Sequence, residues 1–585
     1  MSDFIWKIRA GLTRLDRANS AMWNRLRAKR AKAKNIPTQF DHFPEPRTIG
    51  SFEIGEHLIH GQFYFAGELI EASSKSIWSI TSPTPDFTAE MHGFYWLDDL
   101  AAVGDTDSRH LAQAWTMDWI TRYDTGKGAG WTPAMTGSRV LRICAHARFL
   151  FLDLEKPHAL KVLRSLARQL DYLGKTWRQE PMVRRRLEAL AGLIFAGVSF
   201  TGREKALKSA NKAIGNECDR HIGENGEIPT RNPEELMEIF TLLTWVYRTL
   251  EDADITPDRR LVDALERIAP TLRGLRLGDG NLTRFHGGGR GREGQLDQVL
   301  SDSRIRKSRV GELAMGFDRL TAARITLLVD CAGPPDLPDS NHAHASTLAF
   351  EMSSGRHPMV VNCGAGQKFS AQWERRCRAT SSHNTIAIEQ VSSSRFAPEG
   401  IISHTFGERL LDKPANVTRN RKADRQGNWL LATHDGYDDT HGLTHQRRLY
   451  LSPDGREFRG QDNLAATSEQ QRKRFKAAIA TVPSLGVGYA AHFHLHPDVK
   501  AKLADDHKSV SLQLQNGEVW VFRQEGGQLS LESSVFLDQW RHKPRATKQI
   551  VVTSRVLDYS NRITWIFKRV KERDLAASKG SENES

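Results

Sequence analysis

The chain is poor in cysteine and in long apolar runs, and each shortage closes off a class of protein. Its 585 residues hold five cysteines, at positions 144, 218, 331, 363 and 377. They are odd in number, scattered and never in Cys-x-x-Cys spacing, which argues against a disulfide framework or a thiolate zinc site and predicts free thiols in a reducing compartment. The longest apolar stretch, 189–200, is interrupted by Gly192 and Gly197 and is too short to cross a bilayer. Residues 1–34 lack the unbroken apolar core of an export signal, so the expected location is the cytoplasm. A phosphate-binding loop is missing too. Residues 284–292 are rich in Gly and Arg but have neither the strand–loop–helix setting nor the Lys-Ser/Thr that a nucleotide needs.

Charge is present in excess, but in one place. Of the net +13, residues 1–34 carry +8, from ten Lys/Arg against Asp3 and Asp16. The same arm sets Ile5, Ile8, Leu12 and Leu15 at helical spacing, which predicts a basic amphipathic helix. Three readings of it stand open: contact with an anionic membrane surface, contact with a second copy in a homo-oligomer, or a helix laid on the protein body. No basic stripe interleaved with aromatics accompanies it, so no nucleic-acid partner is expected. With 39% hydrophobic and 26% charged residues the remainder reads as globular, and its length requires two large domains.

Periodicity divides the chain. Beyond the arm (1–35), apolar residues recur every three or four positions over 100–123, 138–154, 158–177, 183–200, 205–223, 233–250 and 258–275, with short breakers between. Serial helices with short links pack as antiparallel pairs, and this domain is drawn to 290 with its non-repetitive lead-in. From 311 to 575 the pattern turns to strands and turns, with signals at Pro453-Asp454-Gly455 and Asn516-Gly517. Residues 576–585 are polar and expected to be disordered. The fold class is α + β, multidomain.

Chemistry concentrates between Asn341 and Asn384. His342-Ala343-His344 precedes a strand over 347–352; Val361-Asn362-Cys363-Gly364 closes a second; Ser381-Ser382-His383-Asn384-Thr385 opens a third. Three histidines and an Asn at neighbouring strand edges converge either for a metal or for proton transfer, or else they cap strand ends and bond loop backbone. Upstream, Asn232 is the expected N-cap of a helix starting at Pro233, beside Arg231 with its bidentate fork. The loop holding Arg284, His286 and Arg290 could seat a sulfate, phosphate or carboxylate, or serve as a linker. Arg185, within Arg184-Arg185-Arg186, belongs either to a solvated helix face or to a binding cleft. His434, His445, His494 and His496 are expected to be structural.

These motifs resemble the heparinase II/III-like polysaccharide lyases, in a bacterial branch of unassigned substrate. His342-Ala343-His344, Phe350-Glu351-Met352, the Asn362 and His383 segments, His434-Asp435-Gly436-Tyr437 and Phe493-His494-Leu495-His496-Pro497 carry the likeness, joined upstream by Gly93-Phe94-Tyr95-Trp96-Leu97 and Asn225-Gly226-Glu227. The resemblance implies an incomplete α/α toroid followed by an antiparallel β-sandwich, and β-elimination of an acidic, uronic-acid-containing polysaccharide or oligosaccharide. It implies His342 as catalytic base or acid. Arg231 and Asn232 would pair the substrate carboxylate with His286 nearby, and Arg284, Arg290 and Arg185 would bind substrate. Zinc would sit between His344, Asn362 and His383. Three departures stand out: Asn362 replaces a ligating Asp, Phe369 stands where a Tyr is expected, and 231–236 holds no Tyr. They keep a second reading open, a non-catalytic glycan-binding or exopolysaccharide-assembly protein on the same scaffold.

Overall fold

A computed structural model describes residues 22–570 apart from 49, 73–75, 308–312, 338, 390, 397–407, 481–485, 540 and 542. The expected basic arm lies outside the described residues up to position 21, and the expected disordered tail lies wholly outside them.

The chain forms two compact units. One comprises Met1–Gly226, Glu235–Ala269 and Gly294–Lys307; the other comprises Glu227–Glu234, Pro270–Glu293 and Ser308–Ser585. Residues 227–234 and 270–290, expected with the helices, thus go with the strands, because their side chains are tied there as described below.

The first unit is helical. Thr106–Tyr123 starts where Asp105 accepts the N–H of Ser108, and Gly104 at φ +74° stops the helix before it, Tyr95–Val103. The run read as one helix over 100–123 is therefore broken there. Pro133–Ala145 is capped by Thr132 with Pro at its first turn and is buried on nearly every side. It packs on Val183–Ser199 at backbone distance: a Cβ on Gly137 would lie 2.4 Å from Ala189 Cα, and one on Gly192 2.5 Å from Gly137 O. Lys156–Thr176 and Glu204–His221 follow close to their expected bounds. Among the described residues no helix is long and apolar enough to cross a membrane.

The second unit is β, with every strand pair antiparallel. Among the described residues there is an eight-stranded sheet, two four-stranded sheets and a short ribbon at Arg395–Phe396. In the eight-stranded sheet the long hairpins Val417–Asp424 with Gly427–Tyr437 and Leu443–Leu451 with Glu457–Ala465 lead to the last strand, Ser560–Arg569. Alternating burial along Leu443–Leu451 shows one face turned inward. Phe317–Ala322, Ile325–Asp330, Phe350–Ser354 and His357–Val360 form a second sheet; Ile386–Ile388, Val487–His494, Arg545–Val556 and Gln528–Phe536 form the third. All three sheets contribute to one apolar core, where Phe350, Phe458, Phe493, Trp565 and Phe567 are buried together. Each such ring contributes about 1.5–3 kcal/mol on burial. Gly460 is obligatory here, since a Cβ would fall 2.0 Å from the Trp565 ring. The strand expected from 347 begins only at Phe350, because Leu348 takes φ +63° and turns the chain into the sheet.

Candidate active site

The turn carrying His342 is fixed by its backbone. Arg378, itself buried, donates from Nε to Ala343 O at 2.8 Å and from Nη2 to Ser340 O at 3.3 Å, and Ala345 N donates to Arg378 O at 2.9 Å. His342 therefore points outward, with its side chain 47% exposed, while His344 is buried. His342 Nδ1 lies 3.2 Å from Glu374 Oε1. Glu374 rides on the short helix Ala371–Cys377, which Ser370 caps by accepting the N–H of Trp373. Burial pushes the Glu374 carboxyl up, but the hydrogen bond and charge of His342 outweigh it and hold the group below its ordinary value. A carboxylate on Nδ1 keeps the proton there and leaves the Nε2 lone pair outward, and among the described residues Nε2 has no hydrogen-bond partner.

Glycines bring other polar groups to His342. Gly287 sits at φ +84°, and a Cβ there would lie 2.8 Å from both His342 Cβ and Gln367 Nε2. Gln539 Nε2 donates to Gly287 O at 3.1 Å, and Gly289 N donates to Glu234 Oε2 at 2.6 Å. Between them Gly288 closes on Asn232, whose Oδ1 accepts the N–H of Glu234 as the expected helix cap. Gln367 makes no hydrogen bond among the described residues. The Gly-rich loop is thus packed against the His342 turn rather than a loose linker.

Beneath this surface lies a closed network. Arg231, at φ +52°, donates from Nη2 to Asp330 Oδ1 at 2.5 Å, from Nη1 to Gly333 O at 2.7 Å and from Nε to Met315 O at 2.9 Å. All three of its nitrogens are engaged, and the carboxylate it pairs is Asp330 rather than the expected one of a substrate. Asp330 also accepts from Ser346 Oγ at 2.7 Å and faces His286 Nε2 at 3.5 Å. Burial alone would raise Asp330; Arg231 and His286 bring it down to about 2. His286 is buried, its Nδ1 accepts the N–H of His344 at 3.2 Å, and burial lowers it despite Asp330. The expected approach of His286 to a substrate is replaced by a structural place in the core.

The proposed zinc ligands do not fit an ion. His383 Nδ1 donates to Ala379 O at 2.8 Å, so its Nε2 accepts, and His344 Nδ1 donates to it at 2.9 Å. Two nitrogens each about 2.0–2.1 Å from a tetrahedral ion would stand about 3.3 Å apart. Burial drives His383 down to about 4 and holds His344 well below its ordinary value. Asn362, the third expected ligand, spends its amide on protein: Oδ1 accepts from Asn384 N and Nδ2, both at 3.2 Å, and Nδ2 donates to Arg284 O at 3.1 Å. Among the described residues no three His, Cys, Asp or Glu side chains are grouped to hold a metal.

The remaining candidates have partners within the protein. Arg290 pairs with Asp538 at 3.2 Å, and Arg284 is buried beside Glu351. Arg185 belongs to the helical unit, between Arg184, paired with Glu188, and Arg186, paired with Glu217. Phe369 packs against the buried Cys363, Cys377 and Leu537. His445 Nε2 donates at 2.8 Å to the Asp462 carboxylate, which Arg447 holds in a two-pronged pair, and His445 Nδ1 bonds His434 Nε2, which gives both rings structural partners. His494 is spent on Ser534 and Ser381 O. Sequence reasoning missed Glu374, Gln367 and Asp330. The Ser370-x-x-Trp373 cap was a usable signal for the first; an Asp ending the apolar run 325–330 was one for the last.

Residues 307–566 match the family described as Heparinase II/III-like, C-terminal. The chain is 29% identical over 479 residues to FtsZ-localized protein C of Caulobacter vibrioides (strain NA1000 / CB15N), covering 81% of this chain and 80% of that one. The crystal structure of heparinase III superimposes with a TM-score of 0.69 at 12% identity, over 92% of this chain and 88% of that one. A mutant of the heparan sulfate lyase HepC from Pedobacter heparinus gives 0.59 at 14% identity, over 96% and 89%. The fold is that of heparinase III, a helical N-terminal region followed by a largely antiparallel β domain, and residues 307–566 are similar to the heparinase II/III-like C-terminal family.

Proposed function

We propose that the protein is a polysaccharide lyase that cleaves an acidic, uronic-acid-containing glycan by β-elimination, with His342 moving the proton. The observation that carries this is the His342–Glu374 pair: an exposed imidazole, oriented through Nδ1 by a carboxylate, with Nε2 unengaged. Nε2 would take the proton from C5 of the uronate. The C5–H electron pair becomes the C4=C5 double bond as the C4–O bond breaks, and the imidazolium returns its proton to the leaving oxygen. The intermediate carries charge on the substrate carboxylate, and the amide of Gln367 beside His342 is the group proposed to donate to it. In this reading the helices close as an incomplete toroid, the sheets stack as a sandwich, and the protein works in the cytoplasm on short saccharides or intracellular polymer intermediates.

A second reading is favoured by Phe369, which has no proton to give where the resemblance calls for a Tyr, and by the Caulobacter relative, which is named for localisation with FtsZ. It makes this chain a glycan-binding or assembly protein that does not cleave. Incubation with a panel of acidic glycans, following the ultraviolet absorbance of an unsaturated uronyl end, decides between them. Signal lost in His342→Ala establishes the lyase. Silence across the panel, with one glycan retained in a binding assay, establishes the second reading.

A further inference from the structure

The β unit contains a cavity of about 280 Å³ whose lining includes Arg284, Arg290, Arg356, Arg541 and Arg545 against Asp279, Asp498 and Asp538. It lies at the small end of ligand clefts, which run about 300–1,000 Å³. Most of its charge is internally matched. Arg545 Nη2 bonds Asp498 at 2.8 Å, and Arg290 and Arg541 share Asp538, while Asp279 accepts only the neutral backbone and side-chain amides of Asn281 and keeps its charge. Two arginines are left over.

Arg284 is only 5% exposed and sits 4.4 Å from the centre of the Phe536 ring. Its guanidinium makes no hydrogen bond among the described residues, and Nη1 is buried without one. The carboxylate paired with it among the described residues, Glu351 Oε1 at 3.8 Å, is already used: Oε1 accepts from Asn362 N and Oε2 from Arg284 N. Arg356, in the turn between Phe350–Ser354 and His357–Val360, is exposed and has no ion pair or hydrogen bond among the described residues. His496 also lines the cavity and stays neutral, lowered to about 4 by burial and Arg284, so it can accept or donate without adding repulsion toward an anion. A buried guanidinium short of acceptors is costlier than an unmade neutral hydrogen bond, and an oxyanion is the partner that removes that cost.

We propose that this cavity binds an oxyanion (sulfate, phosphate or carboxylate), with Arg284 and Arg356 as its principal ligands. The volume admits the anion together with part of one sugar ring. The site does not use His342 and does not require cleavage, so it stands whether or not the protein is a lyase.

Calorimetric titration of the full-length protein with inorganic sulfate, inorganic phosphate, glucuronate and glucose 6-sulfate tests it. Saturable binding is expected, weakened about tenfold or more in Arg284→Met and several-fold in Arg356→Ala, as loss of charge-assisted hydrogen bonds predicts. Tighter binding of the two sugars than of the inorganic ions identifies a saccharide substituent as the source; equal binding identifies a free anion. Should Arg284→Met fail to fold, Arg356→Ala and the doubly exposed pair Arg356→Ala/Arg541→Ala carry the test alone. Absence of saturable heat with all four compounds, or affinities unchanged in these variants, overturns the proposal. His342→Ala must leave the affinity as it was, which separates failure here from failure of the lyase reading.

Discussion

His342 and His344 are separated by one residue and meet opposite fates. The first stands 47% exposed with a carboxylate behind it and an open nitrogen in front; the second is buried, with Nδ1 given to His383 and its backbone N–H given to His286. The pair shows how a His-x-His motif distributes its work in this fold. One ring is kept where a ligand can arrive, and the other is committed to holding the turn that presents it.

Removing each in turn gives the sharpest test of that division. His342→Ala should cut lyase turnover by about 10²–10⁴-fold, as loss of a proton-transfer group does, while denaturant unfolding stays within about 0.5 kcal/mol of the parent. A matching fall in stability would put His342 in the structural class. Asp330→Ala does the reverse. It leaves Arg231 charged and unpaired in the interior, and should lower unfolding stability by about 3–5 kcal/mol in urea titrations.

Acid provides a smaller contrast. Burial lowers both His92 and His494 to about 3 in the folded protein, with Arg139 helping for the first and His492 for the second. Unfolded histidine titrates near 6.5. Between about 6.5 and 3 the unfolded chain therefore binds protons the folded one refuses, so stability is complete above that window and falls as pH drops through it. Each histidine contributes about 1.4 kcal/mol per pH unit. Glu351, pushed up to about 7, works in the opposite sense between about 4.3 and 7 and offsets one of the two. Thermal unfolding should thus come at lower temperature at pH 5 than at pH 7; the opposite order would mean that these rings are hydrated.

Glu374→Gln should cost about tenfold in turnover, the equivalent of one charge-assisted hydrogen bond near 1.5 kcal/mol, with unfolding unchanged. The smallest expected effect is that of zinc. With His344 and His383 bonded to each other and Asn362 engaged with Asn384 and Arg284, added zinc should move the melting temperature by less than about 1 °C; a clear rise would show that the histidine pair opens around an ion.

The helices were legible because their signals are local. Caps such as Asp105 and Thr132, breakers such as Gly104, and three-to-four spacing place most ends within a few residues. Strand positions around 325–330 and 427–437 were legible for the same reason, whereas the edges at 347–350 were not: the positive φ of Leu348 answers to tertiary packing and leaves no mark in an alternating pattern. The same holds for the site. Exposure separates His342 from His344, and exposure depends on Arg378 and His286, which lie 34 or more residues away in sequence. Arg231 looked suited to a substrate carboxylate because its fork fits any carboxylate; that Asp330 supplies one could be learned only from three dimensions.

The β unit takes residues 227–234 and 270–293 from the middle of the chain, and this has a consequence for synthesis. Arg231 leaves the ribosome 99 residues ahead of Asp330. At about 5–20 residues per second it waits roughly 5–20 s for its counter-charge. A fragment begun at Ser308 would hold Asp330 buried without Arg231, so the C-terminal region, though it carries nearly all of the family match, is not a unit that can be cut free along the sequence.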